Sequence, residues 1–313
     1  MPKYFICPMS KNIVDAVCEI DSTDYGFAVT RRQVDYSGGY VNGWNTKSFY
    51  DYVKGKNDKI VLERDHGGPL QGTLVDDGYT SYLEDLKYFD IIHLDPWKCF
   101  QDLSEGLTST ISTIKALYKQ NPSIKFEILT ERAIKEFEPK DYFTILTRLE
   151  AELNTQEFSS VEYVVIQSGV GIDLVSRKNT DQFLHQSLLE SIEICRTFGK
   201  KVKEHNGDYL SSAAKEWRFR KGIDAINIGP ELAQLETEIY LKYMTEEEKD
   251  SFYEVCLASK RWERWITPEF DLDNREMLIQ VCGHYNYDKL PLREGINNIV
   301  KEIIKGKLYG YEA

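Results

Sequence analysis

Histidine is scarce in this chain, five among 313 residues, and cysteine is little commoner at six. Cys7, Cys18, Cys99, Cys195, Cys256 and Cys282 are scattered, with no Cys-x-x-Cys pair, which excludes a disulfide framework and a thiolate zinc cluster. No window approaches the roughly 18 consecutive apolar residues of a membrane span. The opening Met1-Pro2-Lys3-Tyr4-Phe5-Ile6-Cys7 lacks the longer apolar core of a signal peptide, so a cytoplasmic protein is expected. Positive charge is short as well: 39 Lys and Arg stand against 51 Asp and Glu, for a net charge of -12. Such a balance cannot neutralise a nucleic-acid backbone. A small anionic ligand stays open, because a few basic side chains in one cleft outweigh the global charge locally. No Gly-x-Gly-x-x-Gly follows the first strand-like run, which removes the main support for a dinucleotide-binding sheet. With no Pro/Gly/Ser-rich linker or charge block to divide it, the chain reads as a single domain over 1–313.

What is present is a repeat of short apolar runs, each followed by an amphipathic segment. The runs are Tyr25-Thr30, Lys59-Leu62, Asp90-Leu94, Lys125-Leu129, Val161-Ile166, Lys200-Lys203, Ala225-Ile228 and, as the eighth, Met277-Val281. Between them Leu103, Leu107, Ile111, Ile114, Leu117 and Tyr118 keep helical spacing, as do Phe183, Leu184, Leu188, Leu189, Ile192 and Cys195. Strand starts about 25 to 40 residues apart suit a parallel strand, a crossover helix and a return loop. Eight such units predict an α/β fold, a (β/α)8 TIM barrel spanning 25–313. Residues 1–24 are expected to form an N-terminal helical cover, with extra helices from Thr245 to Trp265 before the last strand.

A barrel of this kind does its chemistry at the C-terminal ends of its strands. There the sequence places Asp65-His66 followed by Gly67-Gly68-Pro69, then His93 and Asp95, then Glu131, Gln167-Ser168-Gly169, Glu204-His205, and Gly229-Pro230. Three of the five histidines therefore sit at strand ends. Imidazole with carboxylate at a barrel mouth suits Zn²⁺ or another divalent ion. Each also has a plainer reading: Asp65 and His66 could hydrogen-bond a turn, His205 could cap loop carbonyls, His93 could pack inside the barrel satisfied by Asp95, and Glu131 could pair with a nearby cation. The plainer reading is preferred for His284 and His185.

These motifs resemble the accessory, or non-catalytic, subunit family of class II D-tagatose-1,6-bisphosphate aldolase, a relative of the zinc-dependent class II aldolases. The residues that carry the resemblance are Gln33-Val34 with Gly38-Gly39-Tyr40, Asp65-His66 with Gly68-Pro69, and Ile92-His93-Leu94-Asp95. Thr130-Glu131, Val164-Val165-Ile166-Gln167 with Gly169-Val170, Glu204-His205 with Asp208-Tyr209, and Gly229-Pro230 complete the set. The resemblance implies Asp65 as the proton-transfer residue, His66 and His205 as metal ligands, and Glu131 beside the ion as ligand or catalytic group. The seventh strand, where active aldolases carry a third zinc-binding histidine, ends here in Ile228-Gly229-Pro230, leaving His93, Glu131 or Gln167 to complete the shell.

The function implied is a metal-dependent enzyme that cleaves C3–C4 of a ketose or ketose phosphate by reversible retro-aldol chemistry, or that epimerises C4 at the same site. The alternative is a silent barrel that binds and stabilises a separate aldolase subunit. Expected partners are a small sugar or sugar phosphate, and a catalytic aldolase subunit or a second copy of the chain. A phosphate is expected on backbone amides near Ser168-Gly169 or at the helix start after Gly229, with Arg64, Lys98 and Lys203 as cationic contacts. Gln33, Asp95 and Gln167 complete the expected substrate contacts. Lys203 has a second reading as a Schiff-base nucleophile.

Overall fold

The structure, a computed structural model, describes residues 1–181, 184–290 and 294–312. Eight parallel strands close into a barrel: β1 (Tyr4–Ile6), β2 (Tyr25–Thr30), β3 (Val61–Gly67), β4 (Ile91–Leu94), β5 (Lys125–Ile128), β6 (Val161–Ile166), β9 (Lys201–Glu204) and β10 (Ala225–Ile228). The remaining two, β7 (Val170–Asp173) and β8 (Lys178–Asp181), form an antiparallel hairpin outside the ring. The (β/α)8 class predicted from the repeat is therefore the fold. Helices cover the outside, and the strands read as continuous apolar runs because both faces of a parallel sheet are buried.

Two elements differ from the sequence reading. The segment 1–24, expected as a helical cover, supplies β1, whose Tyr4, Phe5 and Ile6 pair with both β2 and β10 and close the ring; α1 (Lys11–Cys18) follows, its first turn capped by the Ser10 hydroxyl, which accepts the Ile13 N–H at 3.1 Å. Three residues are too few to show a period, so β1 is invisible until its neighbours exist. Conversely, Met277-Val281, expected as the eighth strand, lies in α11 (Arg275–Cys282), where Asn274 caps the helix and Leu278, Ile279 and Val281 are fully buried. A short apolar run cannot be told from a buried helical turn by periodicity alone. The Phe183 start of the expected helix lies outside the described residues; the helix there is α7 (His185–Thr197).

The boundary of β3 matters most for function. The apolar run ends at Leu62, yet the strand continues through Glu63, Arg64, Asp65 and His66. Alternation sends Glu63 and Asp65 into the barrel and Arg64 outward. There Arg64 is completely buried, donating to both oxygens of Asp85 at 2.8 and 2.7 Å and to the carbonyls of Val29 and Val34. Charges that carry their own partners can occupy a strand interior where an unpaired charge could not.

After β10, α9 (Pro230–Tyr243) returns along the barrel. The chain then builds a satellite: α10 (Glu246–Ser259), a 3-10 turn over Arg261–Trp265, α11 and a second 3-10 segment over Gly283–Lys289. It has its own small core, including Phe252, Cys256, Leu278, Ile279 and Cys282. The satellite brings Arg264, Trp265 and Tyr285 to the cavity at the barrel mouth. Finally α12 (Glu294–Glu312) packs against α1 and accepts the Tyr4 and Tyr25 hydroxyls on the carbonyls of Tyr311 and Leu308 at 2.9 and 2.6 Å. Among the described residues no helix is long and apolar enough to cross a membrane.

Candidate functional site

Inside the barrel, Phe5, Ala28, Ile91, Tyr163 and Ala225 pack as one apolar layer. The other three strands contribute charges: Glu63 from β3, Glu127 from β5 and Lys203 from β9, all with fully buried side chains. The Lys203 ammonium lies 2.6 Å from both oxygens of Glu63, 2.8 Å from Glu127 and 3.8 Å from the centre of the Phe5 ring. Burial works against its charge, but Glu127 and Glu63 overcome that and raise its pKa. A lysine held this way is neither a substrate contact nor a Schiff-base nucleophile, which needs a lowered pKa and an open approach. Both readings of Lys203 are corrected.

Two residues further along the strands the interior becomes the floor of a cavity of about 440 Å³. The His205 Nε2 lies 2.7 Å from Glu127 Oε1, so the lysine-anchored carboxylate fixes the ring. His66 makes the same arrangement on the other side: its Nδ1 lies 2.6 Å from Asp95 Oδ2, which also accepts the Thr130 hydroxyl at 3.0 Å. Carboxylates that fix the far nitrogen in this way set the tautomer of a ligating imidazole and raise its basicity. The near nitrogens converge. His66 Nε2 is 3.4 Å and His205 Nδ1 3.5 Å from the same atom, Glu131 Oε2. Ligands at the usual Zn²⁺ distances stand about 3.4 Å apart along the edge of a tetrahedron, and the three donor atoms all lie within 4.8 Å of one another. Donor set and spacing both fit a divalent cation held by His66, His205 and Glu131.

The electrostatics point the same way. Burial opposes charge on the His205 imidazole, yet hydrogen bonds to Glu127 and Glu131 push its pKa up to about 9. The His66 ring, also penalised by burial, is raised by Asp65 and Glu131. Burial raises the Glu131 and Asp65 carboxyls, but the neighbouring histidines outweigh it and hold both below the usual range. A pocket that draws protons onto two imidazoles draws a cation for the same reason, an excess of fixed negative charge. His66 itself has a positive φ of 44°, uncommon outside glycine, although histidine is among the side chains that adopt it more readily.

The remaining candidates sort by contact. Gln33, Asp65, Lys98 and Gly229 line the cavity with the three donors. His93 does not: its Nε2 faces the Leu129 carbonyl at 2.7 Å and its Nδ1 accepts the His66 N–H at 3.1 Å, so both nitrogens are engaged and it braces the His66 backbone. Asp95 orients His66 instead of meeting substrate. The Gln167 amide donates to the Thr130 and Lys135 carbonyls at 2.7 Å each, which takes it out of the metal shell and the substrate contacts. The Ser168 hydroxyl donates to Glu204, and Gly169 begins the turn into the outer hairpin, outside the cavity lining. The Gly229 and Glu231 N–H groups are already taken by Asp208 Oδ1 at 3.0 and 2.7 Å. No amide is left there for a phosphate. Gly229 is required for packing, since a Cβ would sit 2.9 Å from Cys7 Cβ.

With β1 counted first, the strand ending in Gly229 is eighth in the ring and the seventh, β9, carries His205. The same count moves Asp65-His66 to the third strand, so the spacing between the two histidines is unchanged, the strand that ends in Gly229 still carries none, and Glu131 is the third donor.

Several cavity residues escaped the sequence reading. Glu127, beneath the cavity, was legible as a charge on the inward phase of β5. Asn227, 4% exposed, has no hydrogen-bond partner for either side-chain polar atom among the described residues and lines the cavity. Its signal was a polar residue on the inward phase of β10. Arg32 and Arg264 gave no signal.

No protein-family model and no curated protein matches the sequence. Solved structures do. A probable tagatose 6 phosphate kinase from Sinorhizobium meliloti 1021 superposes with a TM-score of 0.73 over 99% of both chains at 14% identity. The YdjI aldolase from Escherichia coli K12 gives 0.56 at 14% identity, over 98% of this chain and 90% of the other. The fructuronate-tagaturonate epimerase UxaE from Cohnella laeviribosi gives 0.60 at 10% identity, over 99% and 78%. The likeness is one of fold. At these identities it carries no residue assignments, which rest on the geometry above.

Proposed function

We propose that the protein is a divalent-metal enzyme that breaks and remakes the C3–C4 bond of a ketose or ketose phosphate, as an aldolase or as a C4 epimerase. The observation that carries this reading is the convergence of His66 Nε2 and His205 Nδ1 on Glu131 Oε2, each ring fixed from behind by a buried carboxylate. Among the neighbours in fold are proteins named as an aldolase and as a sugar-acid epimerase, two reactions that this chemistry unites.

A bound divalent cation supplies Lewis-acid stabilisation of the negative charge left on the ketone half when the bond breaks. The chain's own residues supply the rest. Asp65, in the cavity wall with Oδ1 3.8 Å from His66 Nε2, takes the proton of the C4 hydroxyl as the C3–C4 electron pair moves to C3. The aldehyde half forms as that proton leaves. Return of the proton from Asp65 accompanies bond formation, and rotation of the aldehyde before it inverts C4. Asn227 offers a free amide to a substrate hydroxyl or carbonyl. Trp265, Tyr285, Met9 and Ile172 wall the cavity and exclude water. A fully oriented pair of histidines favours catalysis over a silent scaffold, which has no use for buried charges aimed at two imidazoles.

The test is metal content by elemental analysis, with turnover of ketose phosphates and of ketose sugar acids measured before and after chelation. Zn²⁺ or another divalent ion at one per chain, with turnover lost on chelation and restored on reloading, is expected. Protein that gains no metal and stays inert on every ketose would sink the reading.

A further inference from the structure

Three cations line the cavity that holds the histidines: Arg32 just after β2, Lys98 after β4, and Arg264 on the 3-10 turn of the satellite. The chain carries a net charge of -12, yet these three cations share one cavity wall. Neither Arg32 nor Arg264 has a carboxylate partner among the described residues, and Lys98 donates only to the neutral Gln71 side chain. Arg264 lies against the Trp265 ring, 5.4 Å from its centre.

The three also repel one another. Burial lowers the Arg32 pKa, and the charges of Arg264 and Arg261 lower it further; Lys98 is lowered by burial and then by Arg32. Cations gathered in one cleft without counter-ions raise the local concentration of an anion and bind it where it relieves the repulsion. The acids of the cavity are set towards the histidines, Asp65 and Glu131 beside them and Asp208 turned onto the amides of α9, and Asp95 and Glu131 offset only part of what burial and Arg32 do to Lys98. The cavity is therefore polarised along its length, acidic around the buried His205 and Asp65, basic at the exposed Lys98 and Arg264.

Asp208 occupies the N–H groups at the start of α9, and Arg64 and Lys203 are sealed in ion pairs, so none of these is free for an anion.

We infer that the substrate carries an anionic terminus, a phosphate ester or a carboxylate, and that Arg32, Lys98 and Arg264 hold it at the cavity mouth while the opposite, ketone end faces His66 and His205. This deepens the proposed function and rests on it for the orientation of the ketone. Specificity for the anion is thus supplied largely by the satellite and by the β2 and β4 loops, not by the amides at the start of α9.

The experiment is calorimetric titration of the full chain, with and without loaded Zn²⁺, using three ligands of one length: a ketohexose 6-phosphate, the ketohexuronate and the neutral ketohexose. Inorganic phosphate is titrated alongside. The two anions are expected to bind at least about tenfold more tightly than the neutral sugar, since a charged hydrogen bond contributes about 1.5–3 kcal/mol. Arg264→Gln is expected to remove about that factor for the anions and leave the neutral sugar unchanged. Because Arg264 is exposed, its replacement does not threaten the core, and Lys98→Gln serves as an independent second variant. The tighter of the two anions names the source, phosphate or carboxylate. Equal binding of all three sugars, or an Arg264→Gln that weakens anion and neutral sugar alike, overturns the inference even if metal and turnover are present. Should the protein retain no metal while inorganic phosphate still binds and Arg264→Gln weakens it, the anion site stands and the metal-enzyme reading falls.

Discussion

At the scale of single residues, the site is a set of histidines whose orientation is decided from behind. His66 leans on Asp95 and His205 on Glu127, and Glu127 is in turn held by Lys203. Removing a partner of this kind typically costs a metal site tenfold to a hundredfold in affinity. Glu127→Gln is thus expected to weaken Zn²⁺ binding by about that factor, read by competition with a chromophoric chelator, while His66→Ala abolishes retention altogether. Asp65→Asn should separate the roles: metal content stays at the wild-type level and turnover falls by two to four orders of magnitude, about the contribution of a positioned general acid–base. If Asp65→Asn lost its metal, Asp65 would belong to the ligand set. The sequence made Asp65, His66, Glu131 and His205 legible, because a scarce residue type stood at strand ends. It could not show that His93 faces the Leu129 carbonyl and the His66 amide, or that Arg64 points outward to Asp85. Which of two adjacent charges faces inward depends on where a strand ends, and the apolar run stopped at Leu62, five residues before β3 ends at Gly67.

At the scale of elements, α1 and α9 meet through a buried polar knot. Glu236 on α9 accepts the Ser10 hydroxyl at 2.5 Å, the Asn12 amide at 2.8 Å and the Tyr240 hydroxyl at 3.0 Å. Burial pushes its carboxyl up to about 7 against those hydrogen bonds. An unfolded glutamate titrates near 4.3, so between about pH 4.3 and 7 the native state holds the extra proton. Its contribution is complete below that window and is lost as pH rises through 7. On the order of 3 kcal/mol is at stake for such a displacement. Thermal unfolding of wild type and Glu236→Gln between pH 4.5 and 8.5 checks this. The wild type should lose stability relative to the variant as pH increases, and parallel profiles would refute it. The long helices were readable from the sequence because their apolar residues recur over many turns. β1 and α11 were not, since three and eight residues carry too little period to separate strand from helix.

At the scale of the whole molecule, closure is the decisive property. β1 contributes only Tyr4–Ile6, yet without it β2 and β10 become open edges of a seven-stranded sheet. Exposed parallel edges are templates for association. Deleting residues 1–6 is expected to yield a protein that aggregates or binds a hydrophobic dye in the manner of a molten state, and a soluble, metal-binding truncation would restore the reading of this segment as a dispensable cover. The sequence by itself determined the class of fold, the face on which the cavity opens and four of the groups found there, because composition, strand–helix alternation and residue scarcity are local properties. Tertiary structure alone decided the ring order, which moved His205 to the seventh strand, and the direction of each strand-end charge. It also decided that Arg264, from a satellite more than fifty residues beyond His205 in the chain, shares a cavity with Arg32 and Lys98. Contacts of that kind follow from how a closed barrel places distant loops side by side, and no local pattern encodes them.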